Sequence, residues 1–336
     1  MASEIEAKNT ARHSAEVDLI VAVDTGGTKT LACLADLNAP GDRRILARGR
    51  SSAGNPFSVG FAQATRAIGD AIAQARSTAS IGGGRVERLI LSIAGAANHQ
   101  IAEQFVRWVR DTKLAKQVAI VSDVLPILAA GTPECCGIAL IAGTGSIAFG
   151  RTCDGRTKRC GGWGYLLGDE GSGYSVGRSA LWHALRDLES EAVWHPDSLT
   201  EAVVNELRVK SVSELTKAVY TSSDPRACIA SLSRIVVELG EKGEKKAEEI
   251  LDTAASELAD LVARTAELID GSMVPIPLAI GGGFLVSSQR VREKLFDWLH
   301  RFKVQCDIVL VTDPLLGCIR LAEAEFGGTL VNWHHA

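Results

Sequence analysis

The sequence carries no surplus of positive charge: 36 Lys and Arg stand against 40 Asp and Glu, a formal net charge of −4. That excludes a chain that holds nucleic acid by its overall electrostatics and leaves room only for a local patch. It also has no apolar run approaching the roughly 20 residues that a membrane helix needs. The longest, Gly137–Ala142 and Pro277–Ile280 with their flanks, stop at glycine after a few residues. Residues 1–18 mix Glu, Lys, Arg, His and Asp without an apolar h-region, so no signal peptide is expected. The eight cysteines show no CxxC spacing and no paired Cys/His pattern, and the seven histidines include no HExxH. A structural zinc site is therefore not expected, and reduced thiols in a cytoplasmic protein are. His334 and His335 fall where a chain end is expected to fray. The phosphate loop GxxxxGK[ST] is missing as well.

What is present is ordinary globular composition with one outlier. Hydrophobic residues make up 46% and charged residues 23%, and 336 residues suggest two domains. Glycine is the outlier, at 33 residues against a usual share of about 7%. The glycines are clustered, and the clusters alternate with strand and helix patterns.

Residues 1–16 read as a flexible tail. Leu19–Val23 and Thr30–Leu34 read as two strands joined by the polar bend Asp24-Thr25-Gly26-Gly27-Thr28. A helix over Phe57–Ser77, a strand over Leu89–Ile93, a helix over Ile101–Leu114 and a strand over Val118–Val121 follow, and Val124–Ala130 opens a further helix. The first pattern then returns. Gly137–Ala142 and Ile147–Arg151 are strands joined by Gly143-Thr144-Gly145-Ser146. Two such hairpins more than a hundred residues apart predict a duplicated architecture of two related α/β halves. The boundaries are expected at 17–132 and 133–328, with 329–336 free to rejoin the first half. Beyond the second hairpin the chain is mostly helical from Ser175 to Asp270. Ile276–Ile280 is then a strand, Ser288–Arg301 a helix, Ile308–Val311 a strand and Leu315–Phe326 a closing helix.

Four clusters and one lone carboxylate carry candidate chemistry. In the first bend, Gly26 and Gly27 let backbone approach a ligand closely. Thr25 and Thr28 add hydroxyls, Lys29 a cation, and Asp24 a carboxylate suited to Mg²⁺, directly or through water. Thr144, Gly145 and Ser146 offer the same small, donor-rich surface in the second bend. Either bend alone is also an ordinary hairpin turn; together they suit a triphosphate that takes donors from both halves. A strand, not a helix, follows each bend, which counts against a dinucleotide fold. Asp123 lies just past a strand at the start of a helix. It suits an N-cap, and equally a carboxylate that takes the proton of a hydroxyl attacking a γ-phosphoryl group. The stretch Cys160–Gly173 holds six glycines in fourteen residues. Within it Trp163 and Tyr165 offer flat faces for a sugar ring, and Asp169 and Glu170 offer acceptors for hydroxyls or an acetamide N–H. Gly281–Gly283 is a strand-to-helix loop able to hold a base or ribose against bare backbone, with Gly317 as a neighbour; a tight connection explains it equally well.

The set Asp24–Thr28, Ser122-Asp123, Gly143–Ser146, Gly162-Trp163-Gly164 with Gly168–Ser172, and Gly281–Gly283 resembles the N-acetylglucosamine kinases of the BadF/BadG/BcrA/BcrD ATPase branch of the sugar kinase, heat-shock chaperone and actin superfamily. The resemblance spans about residues 18–328, and the GGWG…GDEGS block is its specific part. It implies two ribonuclease-H-like (actin-like ATPase) domains with a central cleft. ATP with Mg²⁺ would lie on the two bends, at Gly26, Gly27, Thr28, Lys29, Thr144, Gly145 and Ser146, with Asp24 at the metal. The adenosine would lie near Gly282, Gly283 and Gly317, and an amino sugar between the domains. It further implies Asp123 as the base for the sugar 6-hydroxyl, and Asn55, Gly145 and Asp169 as sugar contacts with Trp163 beside them. A homodimer is the expectation for the group. Two departures bear on the sugar: Ala94 stands where a polar residue is expected after the third strand, and Pro56 follows Asn55. Glucosamine and N-acetylmuramic acid or its anhydro form are alternative acceptors. A regulatory ATPase of the same fold is an alternative of another class. An iron–sulfur redox activator of this branch is disfavoured by the cysteine pattern.

Overall fold

The computed structural model describes residues 18–81, 84–94, 96, 98–190, 198–269, 273–323 and 331–336. The expected tail at 1–16 lies outside them. The chain divides into one unit of Met1–Asp123 with Cys318–Ala336 and a second of Val124–Gly317.

The first unit is built on β1 (Leu19–Thr25), β2 (Thr30–Asp36), β3 (Ile45–Ser51), β4 (Val86–Ile93) and β5 (Ala115–Val121). The second is built on β6 (Gly137–Ala142), β7 (Ser146–Arg151), β8 (Thr157–Gly161), β9 (Ile276–Gly281) and β10 (Cys306–Leu310), and β11 (His334–His335) returns to the first sheet. The sheet orders are β11-β5-β4-β1-β2-β3 and β10-β9-β6-β7-β8. Without β11 the two are the same arrangement. Each is an antiparallel meander of three strands with two further strands parallel to the first. The duplication expected from the paired hairpins is therefore present strand for strand.

Each sheet forms around runs of consecutive apolar residues in its inner strands, as strands covered on both faces require. Ile20, Val21, Ala22 and Val23 of β1 are all buried, as are Ile138, Ala139 and Leu140 of β6. Helices Phe61–Thr78 and His99–Thr112 cover the first sheet. The former presents Ala64, Ala67, Ile68, Ala71, Ile72 and Ala75 on one helical stripe, and the latter contributes Phe105 to the same core. Helices Gly173–Glu189 and Lys245–Leu268 supply the core of the second unit, the longer one through Leu251, Ala255, Leu258 and Val262. Each fully buried Leu or Ile contributes roughly 1.5–3 kcal/mol. All eight cysteines are free thiols.

Several details differ from the sequence reading. Strands β3 and β8 were not expected. Both lie at sheet edges and carry polar sequences, LARGR and TKRC, whose pairing comes from a neighbour and not from an apolar pattern. His334 and His335 are not frayed; they pair with Val118 and Gln117 of β5. The first unit ends at Asp123, not at 132, because helix Val124–Gly131 packs on β6 and β9. The chain leaves the second unit within helix Pro314–Ala322, not at 328. The last turn of that helix is tied to the first unit: Arg88 donates to the Ala322 carbonyl at 2.7 Å, and Arg44 pairs with Glu323. The expected continuation of that helix to Phe326 lies partly outside the described residues. Among the described residues no helix is long and apolar enough to cross a membrane.

Candidate functional site

In the first unit the site begins with strand register. Asp24 of β1 stands opposite Ser92 of β4, and Ser92 stands opposite Val121 of β5. Because these strands are parallel, their C-terminal ends share one edge of the sheet, the edge where ligands of α/β folds bind. Asp123 follows two residues after Val121, at the start of helix Val124–Gly131. The Ser92 hydroxyl donates to Asp24 Oδ1 at 2.6 Å, and the Thr25 hydroxyl donates to the Ser92 carbonyl at 3.2 Å. Thr25 and Ser92 are both buried, so the Ser92 hydroxyl anchors the half-buried Asp24 carboxylate and the Thr25 hydroxyl ties β1 to β4 beside it. The Ser122 hydroxyl donates to Asp123 Oδ1 at 3.2 Å.

The bend Gly26–Lys29 closes through the Gly26 N–H to the Lys29 carbonyl at 3.0 Å and leaves Thr28 and Lys29 exposed at its tip, beside the partly exposed Gly27. The Gly54 N–H donates to the Gly26 carbonyl at 3.2 Å, which holds the Asn55 segment against this bend. Asn55 itself caps helix Pro56–Val59, its Oδ1 accepting from the Phe57 N–H at 3.0 Å. The structure thus gives Asn55 a capping role that the sequence reading did not assign it, and Pro56 fits as the first helical residue.

In the second unit the bend Gly143–Gly145 closes through the Gly143 N–H to the Gly145 carbonyl at 2.9 Å. The glycine-rich block splits into two parts. Trp163, Tyr165, Leu166 and Leu167 form an outer part, with Trp163 61% exposed and one of its faces under the Arg159 guanidinium at 4.3 Å. Asp169 onward forms an inner part. Asp169 is 3% exposed and its carboxylate is an internal group: Oδ1 accepts from the Ser146 N–H at 3.2 Å and Oδ2 from Arg226 Nη2 at 2.9 Å. Its backbone is left-handed, with φ +65°. Burial pushes the Asp169 carboxyl above its usual range, and the Ser146 N–H and the Arg226 cation pull it back. The Ser146 hydroxyl donates to the Glu170 carbonyl at 2.5 Å, and the Gly173 N–H donates to the Gly143 carbonyl at 2.8 Å, so the block is laced to the bend along its length. Glu257, on helix Lys245–Leu268, accepts from the Gly171 N–H at 2.6 Å; burial raises its carboxyl too.

Gly145 is required by this packing. A Cβ there would stand 2.6 Å from Asp169 Oδ1 and 2.9 Å from Arg226 Nη2. The Gly281–Gly283 loop is brought against the same bend: a Cβ on Gly282 would stand 2.4 Å from the Ala142 carbonyl oxygen, and one on Gly143 would meet the Gly283 nitrogen at 3.6 Å. Two glycine clusters about 140 residues apart therefore form one backbone-lined surface, with Thr144 at the tip of the bend and Gly283 open on one side. Gly317 has a different reason for being glycine. A Cβ there would stand 1.8 Å from the Pro126 carbonyl oxygen, so it lets helix Pro314–Ala322 cross Val124–Gly131 closely. Ser92 in the first unit, and Arg226 and Glu257 in the second, were not foreseen. Ser92 left a trace as a polar residue inside an apolar strand, whereas Arg226 and Glu257 left none. Among the described residues no group of three or more His, Cys, Asp and Glu side chains is placed to hold a metal ion.

A model of the BadF/BadG/BcrA/BcrD ATPase family matches residues 21–314. An N-acetylmuramic acid/N-acetylglucosamine kinase of Clostridium acetobutylicum is 26% identical over 307 residues, 91% of this chain and 98% of that protein. An N-acetyl-D-glucosamine kinase of Dictyostelium discoideum is 28% identical over 321 residues, with the same coverage. Among solved structures, one from Chromobacterium violaceum, provisionally assigned as an N-acetylglucosamine kinase, superposes with a TM-score of 0.70 at 23% identity, covering 91% of this chain and 99% of that one. A ROK family glucokinase of Streptomyces griseus, in complex with glucose and AMPPNP, superposes at 0.55 and 17% identity, with the same coverage. These likenesses establish the fold, a pair of ribonuclease-H-like domains as in the actin-like ATPases.

Proposed function

The chain belongs to the BadF/BadG/BcrA/BcrD ATPase family, and from that premise we propose that it is an ATP-dependent sugar kinase that phosphorylates the 6-hydroxyl of an amino sugar, N-acetylglucosamine first. The observation that carries this reading is the register that sets Asp24, Ser92 and Asp123 along one sheet edge. The glycine bends of two duplicated units stand in the same topological place.

Each group has a role in that reaction. The bends at Gly26–Lys29 and Thr144–Ser146 present backbone N–H groups, hydroxyls and the Lys29 ammonium to the phosphates of one ATP. The surface at Gly282 and Gly283 supports the nucleoside, and Gly317 acts there through helix packing. Asp123 takes the proton of the sugar hydroxyl as its oxygen forms a bond to the γ-phosphorus and the bond to the β–γ bridging oxygen breaks, releasing ADP. Asn55, through its amide N–H groups, together with Gly145 and Trp163, orients the sugar ring, and the buried Asp169 acts there through the bend that it holds. Asp24 fits Mg²⁺ in its chemistry: it is a hard oxygen donor anchored by Ser92, and Mg²⁺ is commonly held by one or two carboxylates plus phosphate oxygens and water, not by an all-protein cage. The ion, when bound, neutralises phosphate charge. A cytosolic setting suits an enzyme that consumes ATP.

N-Acetylmuramic acid is the second acceptor to weigh, because the Clostridium relative is named for both sugars. A coupled assay for ADP release over N-acetylglucosamine, glucosamine, N-acetylmuramic acid and its anhydro form decides the reading. Release stimulated by one of these sugars is the expected outcome, and slow release that no sugar changes would sink it in favour of a regulatory ATPase.

Gly145→Ala is expected to raise KM for the sugar by about tenfold or more, since the new methyl must displace the charge-assisted Asp169–Arg226 pair, worth roughly 1.5–3 kcal/mol. Steady-state kinetics with the sugar varied at saturating ATP reads this directly.

A further inference from the structure

Arg226 lies more than fifty residues beyond the glycine-rich block, on helix Pro225–Ser231, yet its guanidinium reaches the bend that is to hold phosphate. Nη2 donates to Asp169 Oδ2 at 2.9 Å and stands where a Cβ on Gly145 would be 2.9 Å away. Its helix is seated firmly: a Cβ on Gly177 of helix Gly173–Glu189 would stand 1.9 Å from the Ile229 carbonyl oxygen, so the two helices are in backbone contact. Only 29% of the Arg226 side chain is exposed, and its buried Nε has no hydrogen-bond partner. A buried N–H left unpaired is costly, so the side chain is held here by what Nη2 gains. The other oxygen of the same carboxylate accepts from the Ser146 N–H, at the end of the bend. One carboxylate thus bridges Arg226 and the bend.

We propose that Arg226 is a positioning residue that locks the Asp169 carboxylate beneath the Gly143–Ser146 bend, so that the sugar-facing and phosphate-facing parts of the second unit are held in one register. The proposal rests on the amino-sugar kinase reading. Gly145 is to meet the sugar, the bend around it is to meet ATP, and the Arg226–Asp169–Ser146 chain lies directly beneath both. It also has a consequence for pH. The charged and titratable groups around Asp169 are Arg226 from helix Pro225–Ser231, Glu170 beside it, Glu257 reaching Gly171 from helix Lys245–Leu268, and the Tyr165 ring 5.5 Å from the guanidinium. Burial and Glu170 favour protonation of Asp169 and Arg226 opposes it. Removing the cation raises that carboxyl further, so the carboxylate is lost at a higher pH.

The test uses the full chain with Arg226→Met and Arg226→Lys. For Arg226→Met the expected results are a KM for sugar raised about tenfold or more, an ATP KM raised as well, and an acid limb of kcat/KM for sugar moved to higher pH. Arg226→Lys keeps the charge, so its acid limb stays near that of the wild type while its KM for sugar lies between the two. If Arg226→Met does not fold, Arg226→Lys decides: a KM for sugar equal to that of the wild type overturns the proposal. Asp169→Asn combined with Arg226→Met is no worse than Asp169→Asn alone, because both act through one contact. Hydrogen exchange at the Ser146 amide, read without any ligand, is faster in Arg226→Met. An unchanged sugar KM with an unmoved acid limb, additive losses in the double variant, or unchanged Ser146 exchange each overturn the proposal. If the wild-type chain shows no sugar-stimulated turnover, the kinase reading has failed, and Ser146 exchange alone then judges whether Arg226 locks the bend.

Discussion

Asp123→Asn is expected to lower kcat by about 10²–10⁴-fold, the range for losing a general base, with ATP affinity essentially unchanged. The substitution keeps the volume and one carbonyl oxygen, so the Ser122 hydroxyl still has its acceptor at 3.2 Å and the start of helix Val124–Gly131 is preserved. What it removes is the proposed ability to take a proton from the sugar hydroxyl at the moment of attack. A coupled assay for ADP gives kcat, and calorimetric titration with ATP reports whether the nucleotide still binds. Turnover close to that of the wild type would remove Asp123 from the chemistry and leave it as a residue that only begins a helix. Loss of ATP binding together with turnover would point instead to a collapsed bend, and Asp123 would then be structural.

Gly282→Ala carries the second large effect, and it acts on stability and nucleotide together. Gly282 has φ +91° and ψ 147°, close to a backbone region that is essentially glycine-only and costs other residues about 1–3 kcal/mol. Its Cβ would also stand 2.4, 2.6 and 2.8 Å from the Ala142 carbonyl oxygen, carbonyl carbon and nitrogen. All three are backbone atoms of β6, which cannot swing aside as a side-chain tip can, and overpacking of this kind costs roughly 1–3 kcal/mol more. A total loss of about 2–6 kcal/mol follows, which lowers the melting temperature of a unit this size by roughly 2–4 °C per kcal/mol. Because Ala142 leads directly into Gly143, the displaced strand end also moves the bend proposed to hold phosphate, and ATP affinity falls. Thermal unfolding with and without ATP measures both. An unaltered melting temperature would mean that the loop is not seated on β6.

The degree to which the fold was legible differs by element. Strands β1, β4 and β6 could be read because each holds a run of consecutive apolar residues buried on both faces, and the helices of the first unit because one stripe of each faces the sheet. The hairpin bends could be read because glycine, serine and threonine between two strand patterns have few other uses. Edge strands β3 and β8 could not, since polar residues pair there only because a neighbouring strand is present. The same holds for β11, a two-residue strand that exists through β5. Within the candidate site, Asp24, Asp123 and the two bends were visible as motifs, but nothing local marked Arg226 or Glu257, whose partners lie 57 and 86 residues away.

Residue order by itself determined the duplicated strand–bend–strand plan, the apolar runs that make two sheets, and the positions where glycine leaves backbone bare. These follow from short-range properties, namely side-chain periodicity and the conformations that glycine permits. Only tertiary structure decided that Gly282 meets Ala142, that Asp169 is an internal carboxylate held by Ser146 and Arg226, that Asn55 caps a helix, and that Gly317 serves a helix crossing. Those outcomes depend on which distant segments come within hydrogen-bonding or van der Waals range, and that range is set by the packing of the whole unit.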